Sequence, residues 1–260
     1  MELTAEIVLA AAVLVFGYSY FGYPVLLWIV ARTRPRPAAL AEPAEWPQIS
    51  ITVPAYNEER SIRATLERIL ELDYPADRRQ ILVVSDASTD QTDDMVREFA
   101  SRGVELLRMP ERGGKTAAEN AARALLTGEI VVNTDASVRI EKHALKPLIR
   151  AFLDPAVGVA SGRDVSVARV DDTANLGESG YVGYEMWVRS LETSVSSIVG
   201  ASGCFYAIRK PLHMSLVPVA LSRDFAAALI ASEHGFRAVS VNEAVCFVPR
   251  SSSLQAEYRR

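Results

Sequence analysis

The sequence predicts an α/β fold, with a mostly parallel sheet sandwiched by helices and preceded by one transmembrane helix. Two observations support this prediction. From residue 49 onwards, short apolar runs rich in β-branched residues alternate with amphipathic helical patterns, which is typical of a parallel sheet covered on both faces. Ahead of them, residues 7–31 contain no charged side chain.

Composition narrows the class of protein. The chain has 260 residues, with 28 basic and 32 acidic side chains and a formal net charge of −4. This length is ample to bury a core, and the ordinary composition excludes a disordered or fibrous chain. The excess of acidic over basic side chains argues against a nucleic-acid partner. Cys204 and Cys246 form no ligand pattern, so neither a disulfide framework nor a structural zinc is predicted.

Residues 7–31 are predicted to form a membrane-spanning helix. About 20 apolar residues suffice to cross the ~30 Å hydrocarbon layer, and a buried helix of a soluble protein seldom runs this long. Pro24 predicts a kink in the span. A cleaved signal peptide is disfavoured, since Glu2 and Glu6 stand where such a peptide has basic residues.

The charges around this helix predict its orientation. Arg32, Arg34 and Arg36 follow the apolar stretch directly, whereas no Lys or Arg precedes it. Basic flanks stay on the cytoplasmic side. We therefore expect a single-pass protein of the inner (cell) membrane, with the N-terminus outside and the α/β domain in the cytoplasm, where cysteines stay reduced.

The segments and elements follow in order. We assign an external tail (1–6), the transmembrane helix (7–31), a Pro-rich linker (32–48), the α/β domain (49–250) and a polar tail (251–260). Predicted strands are Ile49–Val53, Ile81–Val84, Val104–Leu107, Ile130–Val132, Val157–Ala160 and Cys204–Ile208. Predicted helices are Ser61–Leu72, the segment after Asp90, Thr116–Leu126 and the segment around Ala144–Phe152. His143 and His234 fall on predicted helices and His213 in a polar loop, so no catalytic histidine set is expected.

Polar side chains follow three of these strands. Asn57-Glu58-Glu59 follows the first strand, Asp86 the second and Asp135 the fourth. Ligands of such sheets bind at the carboxyl ends of the strands. Carboxylates gathered there suit a divalent metal and a phosphate-bearing ligand, and Arg112-Gly-Gly-Lys115 adds two cations and a flexible backbone.

A nucleotide-binding P-loop is an alternative interpretation of the same segment. Gly114-Lys115-Thr116 matches the end of that motif, but its leading glycine would fall at Met109. The segment also follows the third predicted strand instead of opening the fold. A P-loop ATPase is therefore disfavoured.

Four motifs together resemble family 2 glycosyltransferases. They are Thr52-Val-Pro-Ala-Tyr-Asn-Glu-Glu59, Val84-Ser-Asp-Ala-Ser-Thr-Asp-Gln-Thr92, Arg112-Gly-Gly-Lys115 and Thr134-Asp-Ala-Ser137. Their order and spacing fit the family over roughly residues 49–249. The resemblance implies a GT-A (Rossmann-like) fold and transfer of a sugar from a nucleotide-sugar donor.

The resemblance also implies roles for the donor side of the site. Asp135 holds the first position of the family's DxD motif, which binds the donor diphosphate through Mg²⁺ or Mn²⁺; the second position is Ser137, so one charged ligand is missing. The implied nucleoside contacts are Pro54, Ala55, Tyr56, Asn57, Glu58 and Asp86, and the implied nucleotide contacts are Arg112 and Lys115.

On the acceptor side, Gly200-Ala-Ser202-Gly203 resembles the family's acceptor loop, although a tight turn is an equal alternative. Asp224 matches the family's catalytic base, with a helix cap as the alternative. Its neighbour is Arg223 where the family has an acidic residue, and we expect this arginine to lower the pKa of Asp224. Tyr181, Tyr184 and Trp187 share one face of a predicted helix, for packing or to line a sugar or lipid acceptor site.

The resemblance implies an inverting transferase that uses a UDP-sugar and a glycan or lipid-linked acceptor, in polysaccharide biosynthesis. Ser137, Arg223 and the absence of a QxxRW motif favour an alternative, a non-catalytic nucleotide-sugar-binding subunit or scaffold. Membrane relatives often continue into C-terminal helices, so we expect residues 251–260 to be the truncated end of a longer chain. A partner membrane subunit would supply the missing membrane segments.

Overall fold

The computed structural model describes residues 2–34, 41–167 and 180–249. In these segments one eight-stranded sheet is covered by helices, which confirms the predicted fold class. The strands are β1 (Ile49–Ala55), β2 (Arg79–Ser85), β3 (Val104–Arg108), β4 (Ile130–Thr134), β5 (Arg139–Ile140), β6 (Val157–Val167), β7 (Phe205–Arg209) and β8 (Arg237–Pro249). The helices are α1 (Glu2–Gly17), α2 (Tyr23–Thr33), α3 (Ile62–Leu70), α4 (Thr92–Arg97), α5 (Lys115–Ala122), α6 (Leu145–Arg150), α7 (Gly180–Val195), α8 (Lys210–His213) and α9 (Arg223–Glu233).

The order of the strands places the polar loops at one edge of the sheet. The order is β3-β2-β1-β4-β7-β6-β8-β5, and the first four strands run parallel. Strand β7 is antiparallel to both β4 and β6. Because β1, β2 and β4 are parallel neighbours, their carboxyl ends open onto the same side.

The sheet separates two hydrophobic cores. On β2, Ile81 and Val83 pack into one core and Leu82 and Val84 into the other, since successive side chains of a strand point to opposite faces. Helix α3 packs on the first face, and the alanine-rich helices α5 and α9 pack on the second. Small alanine side chains let these two helices approach the sheet closely.

The N-terminal helix is continuous from α1 to α2 through one π-helical turn, Tyr18–Gly22. Its Thr4–Thr33 segment, with a mean hydropathy of 1.7, is long and apolar enough to cross a membrane by length and composition. The π turn ends two residues before Pro24, at the site of the predicted kink. An α-helical bond to the carbonyl of Tyr20 would need the N–H of residue 24, which proline lacks; the hydroxyl of Tyr184 donates to that carbonyl at 2.7 Å.

Some predicted elements differ from the observed ones. Strand β6 continues to Val167, well beyond the predicted end at Ala160. His213, predicted in a polar loop, is fully buried at the end of α8, and His143, predicted on a helix, lies in a turn before α6. Burial raises the cost of a charge, so the pKa of His213 falls to about 3 and this ring stays neutral.

Other predictions lie partly outside the described residues. The predicted linker overlaps α2, which ends at Thr33, and residues 35–40 are not described. The polar tail 251–260 and the side chain of Tyr181 also lie outside the described part of the chain.

Gly128, just before β4, permits a close approach to the backbone of β1. A Cβ at this position would lie 2.3 Å from the backbone carbon of Ile49 and 2.4 Å from the nitrogen of Ser50. Backbone atoms cannot yield as a flexible side chain can. We expect Gly128→Ala to destabilise the domain by roughly 1–3 kcal/mol or more, measured as a lower Tm in detergent.

Gly103→Ala is the control, because a Cβ there meets nothing within 4 Å and only its positive φ of 84° opposes the change. Equal loss of Tm in the two variants would contradict the steric explanation.

Candidate active site

A cleft of about 280 Å³ lies at the carboxyl ends of β1, β2 and β4. Its lining contains most of the predicted donor-site residues, together with Ala136: Pro54, Ala55, Tyr56, Glu58, Asp86, Lys115, Asp135 and Ser137. The sheet topology alone explains this convergence, since the three strands end side by side. The structure therefore brings the predicted motifs together in one place.

Asp86 shapes one wall of the cleft. Its two carboxylate oxygens accept hydrogen bonds from the backbone N–H groups of Gly113 and Gly114, at 2.7 and 2.8 Å. Gly114 has a φ of 85°, which favours glycine, and a Cβ on Gly113 would lie 2.7 Å from that of Ala117. Asp86 thus fixes the turn that places Lys115 at the start of α5.

The loop that follows β1 is hydrogen-bonded to the segment that follows β2. Asn57, with a φ of 55°, accepts a hydrogen bond from the N–H of Thr89 at 2.8 Å, and the N–H of Glu58 donates to Thr92 at 2.8 Å. The side chain of Asn57 and the backbone of Glu58 therefore help to hold the two loops together. Tyr56 instead presents its ring to Arg112, whose guanidinium carbon lies 4.0 Å from the ring centroid.

Lys115 joins three segments at the centre of the cleft. Its ammonium group donates to the carboxylate of Asp135 and, at 2.6 Å, to the carbonyl of Gly203. Burial alone would lower the pKa of Lys115, but the carboxylates of Asp135 and Glu119 outweigh burial and raise it. Lys115 therefore stays charged beside Asp135.

Asp224 lies next to this cluster. It occupies the first turn of α9 and accepts a hydrogen bond from the hydroxyl of Ser222. A Cβ on Gly203 would lie 2.9 Å from a carboxylate oxygen of Asp224, so a larger residue here would push the Asp224 side chain aside. Gly203 consequently connects Asp224 with Lys115 across the cleft.

The expected pairing of Arg223 with Asp224 is wrong. Arg223 is only 2% exposed, and its guanidinium donates to the carbonyls of His213 and Ser215, both at 3.0 Å, and to Asn120 at 2.7 Å. It therefore anchors the α8–α9 loop to α5 instead of contacting the Asp224 carboxylate. A local pattern could not reveal the bond to Asn120, because that residue lies 103 positions earlier in the chain.

Ser202 also differs from its expected role. It is buried, its hydroxyl donates to Asp164 at 2.6 Å, and it accepts from the N–H groups of Cys204 and Phe205. These bonds make a tight turn beneath the cleft, which is the alternative that the sequence left open. Of the predicted acceptor loop, the backbone of Gly203 is the part that faces Lys115.

The sequence analysis missed Glu119, which lies one helical turn after Lys115. It is 2% exposed, and one of its oxygens has no hydrogen-bond partner among the described residues. Burial raises the pKa of Glu119 to about 7, partly offset by the charges of Lys115 and Arg223. In the sequence, a single glutamate among the alanines of α5 could have indicated this buried carboxyl.

The raised pKa of Glu119 predicts how the stability of the protein depends on pH. A carboxyl whose folded pKa lies above its ordinary 4.5 binds more protons in the folded state, so stability falls as pH rises from about 4.5 to about 7. We expect Glu119→Gln to match the wild type near pH 4.5 and to be more stable at pH 8, by up to about 3 kcal/mol.

The measurement is the Tm of both proteins in detergent between pH 4.5 and 8. Glu67→Gln, on the exposed face of α3, is the control for the loss of one carboxylate. If the Tm of the wild type and of Glu119→Gln changed with pH in parallel, the buried carboxyl would not be the cause of the pH dependence of stability in this range.

The cleft offers few side chains that could bind a metal ion. Within the described residues, no group of three His, Cys, Asp or Glu side chains is arranged to hold a metal ion. Asp135 offers one carboxylate and Ser137 a hydroxyl. Mg²⁺ is often held by one or two carboxylates together with substrate phosphates, so this set fits an ion shared with a diphosphate.

Comparison with known proteins identifies the family. Residues 50–209 match the family described as "Glycosyl transferase family 2". A probable glycosyltransferase of Bacillus subtilis, YdaM, is 36% identical over 125 residues, which cover 46% of this chain and 30% of that protein. A beta-monoglucosyldiacylglycerol synthase of Synechocystis is 32% identical over 127 residues, covering 47% of this chain and 26% of that protein. The chain thus spans less than a third of the length of these relatives.

Solved structures agree with this result. The mannosyltransferase PcManGT of Pyrobaculum calidifontis, in complex with GDP-Man and Mn²⁺, superposes with a TM-score of 0.76 at 28% identity, over 96% of this chain and 71% of that one. Staphylococcus aureus TarS with UDP-GlcNAc gives a TM-score of 0.60 at 20% identity, over 81% of this chain and 60% of that one, and shows the shared fold. With four motifs in one cleft and a family match over more than half of its length, the chain belongs to glycosyl transferase family 2 and has a GT-A-like fold.

Proposed function

We propose that the protein is an inverting glycosyltransferase. It moves a sugar from a nucleoside diphosphate donor, a UDP-sugar, to a glycan or lipid-linked acceptor at the cytoplasmic face of the membrane. The observation that supports this most is that Gly203 and Asp224 lie beside Lys115 and Asp135, which line the cleft of a family 2 chain. The relatives with GDP-Man and UDP-GlcNAc support a nucleotide-sugar donor, and the diacylglycerol-named relative supports a lipid acceptor.

The donor would lie across the ends of β1, β2 and β4. The loop from Pro54 to Glu58 and the ring of Tyr56 would contact the nucleoside, with Asp86 and the turn that it fixes forming the facing wall. Lys115 and Arg112 would contact the diphosphate, since both cations lie at the glycine turn. Asp135 and Ser137 would hold Mg²⁺ or Mn²⁺ with the diphosphate, and such an ion neutralises charge on a leaving phosphate.

In the transfer step, Asp224 is the general base. Its carboxylate takes the proton of an acceptor hydroxyl while that oxygen bonds to the anomeric carbon from the side opposite the leaving group. The bond from the anomeric carbon to the donor phosphate breaks, and the nucleoside diphosphate leaves with the electron pair. Lys115 stabilises the negative charge that develops there. Attack from the opposite side inverts the anomeric centre.

The N-terminal helix would anchor this domain in the membrane. Apolar side chains along Thr4–Thr33 are mostly exposed, as a lipid-facing helix requires. Because Arg32 and Arg34 follow the apolar stretch, we place the catalytic domain in the cytoplasm, in a single-pass protein of the inner (cell) membrane.

A non-catalytic nucleotide-sugar-binding subunit is the second candidate. Ser137 stands where a second carboxylate would strengthen metal binding, and Lys115 already pairs with Asp135. Arg223 no longer favours this candidate, since it is a buried structural residue. A binder of this kind would hold the donor without cleaving it.

A donor screen on the detergent-solubilised chain separates the two candidates. UDP- and GDP-sugars are offered with and without Mn²⁺, and released nucleoside diphosphate is measured. We expect metal-dependent release that is lost in Asp135→Ala and lowered about 10²–10⁴-fold in Asp224→Asn, since that is the usual contribution of a general base. Asp94→Asn, on the exposed surface of α4, should retain wild-type release. Donor binding without release, even with added acceptor extract, would contradict the enzyme proposal.

A further inference from the structure

The surface around the start of α9 is apolar and exposed. It combines the α8–α9 loop (residues 214–222), the outward face of α9 and the segment between α7 and β7. No charged side chain occurs from Met214 to Ser222, and Phe225 and Leu229 lie four positions apart on one face of α9. The exposed apolar side chains of this surface, the apolar rim, are Val199, Met214, Leu216, Val219, Leu221, Phe225 and Leu229. Such a cluster marks an interaction site, whereas scattered apolar side chains need no explanation.

The backbone of the α8–α9 loop is hydrogen-bonded from beneath. Arg223 donates to the carbonyls of His213 and Ser215, both at 3.0 Å. Other carbonyls of the loop accept from side chains of α5 and the turn after it: Leu221 from Thr116 at 2.9 Å, Val217 from Asn120 at 2.8 Å and Met214 from Arg123 at 2.5 Å.

These internal bonds suit a loop that leaves water. Water can bond the carbonyls of an exposed loop, whereas in hydrocarbon each unbonded carbonyl costs free energy. In the α8–α9 loop, the carbonyls named above are satisfied by the protein itself, and the apolar side chains point outward. Leu216 and Val219 can therefore enter an apolar phase without leaving these carbonyls unbonded.

The apolar rim adjoins the N-terminal helix. Val199 and Gly200 line a cavity together with Tyr20 and Tyr23 of that helix. A Cβ on Gly200 would lie 3.4 Å from the ring of Phe225. Apolar surface thus continues from the N-terminal helix through Val199 to α9.

The exposure of α2 indicates what surrounds this junction. Helix α2 packs on α7 and buries Pro24 and Leu27. Its other large apolar side chains are exposed: Val25, Leu26, Trp28 and Ile29. Since α2 belongs to the proposed membrane anchor, lipid surrounds it where it contacts the domain, and the same lipid reaches the adjoining domain surface. A domain tethered in this way meets the bilayer at a high effective concentration.

We propose that the apolar rim docks on the lipid bilayer, with the α8–α9 loop and Phe225 in the boundary between the headgroups and the acyl chains. The inference rests on the membrane anchor of the proposed function and adds a second contact between this chain and the bilayer. Leu221 and Phe225 stand on both sides of Asp224 in the sequence. Docking therefore holds the first turn of α9, which carries the proposed base, at the membrane surface.

The test measures lipid contact at single positions of the full chain in phosphatidylcholine vesicles. Leu216→Cys or Val219→Cys is introduced together with Cys204→Ser and labelled with an environment-sensitive fluorophore; Cys246 is fully buried. Phospholipids that carry a nitroxide then quench any label that lies in the bilayer. Because an interfacial apolar surface lies about 5–10 Å below the headgroups, we expect both labels to lose at least about half of their emission.

Two further positions serve as controls. Leu153 is an exposed leucine between α6 and β6, outside the apolar rim, so a label on Leu153→Cys should not be quenched by lipid. Leu9 is an exposed residue of α1, so a label on Leu9→Cys reports on the membrane anchor itself.

The outcomes separate the inference from the proposed function. Quenching at position 9 but at neither 216 nor 219, or equal quenching at 153, 216 and 219, would overturn the docking surface. Labels at 216 and 219 that are shielded from aqueous iodide but not quenched by lipid would also overturn it, since a protein surface would then cover the rim. Absence of quenching at position 9 would overturn the proposed anchor, and quenching at 216 would still decide whether the rim contacts lipid. The donor screen tests the transferase chemistry independently of all these labels.

Discussion

The contacts of one ammonium group hold the site together. Lys115 begins α5, Asp135 follows β4 and Gly203 precedes β7, and the Lys115 side chain bonds to both of the others. These three segments are far apart in sequence; the pairing of β4 with β7 brings Asp135 and Gly203 together, and the contacts of Lys115 join the start of α5 to them. Asp224 in turn packs against Gly203. Lys115, Asp135, Gly203 and Asp224 thus form one continuous set of contacts.

The position of Lys115 depends in turn on a buried carboxylate. Asp86 accepts both N–H groups of the glycine turn, and this orients the start of α5. Below it, Glu119 and Arg223 occupy the space between α5, α9 and the sheet. The carboxylates of Asp135 and Glu119 raise the pKa of Lys115 and keep it charged. The charge of Lys115 is therefore already shared with the carboxylate of Asp135.

The fold and the position of the cleft could be predicted from the sequence, because both follow from local patterns. Alternating apolar strands and helices defined the parallel sheet, and the motifs at Asp86, Lys115 and Asp135 marked the ends of its strands. The roles of Arg223 and Ser202 could not be predicted in the same way. Each is determined by partners from other segments: Asn120 for Arg223 and Asp164 for Ser202. Short-range spacing contains no information on such contacts.

The junction with the N-terminal helix follows from a single proline. Pro24 cannot donate to the carbonyl of Tyr20, and the hydroxyl of Tyr184 takes that place at 2.7 Å. A helix-breaking residue in an apolar helix thus becomes an attachment point for α7. A second bond joins the same elements, since the hydroxyl of Tyr23 donates to Glu192 of α7 at 2.8 Å. These two tyrosine hydroxyls therefore tie the N-terminal helix to the domain on either side of the helix–helix contact.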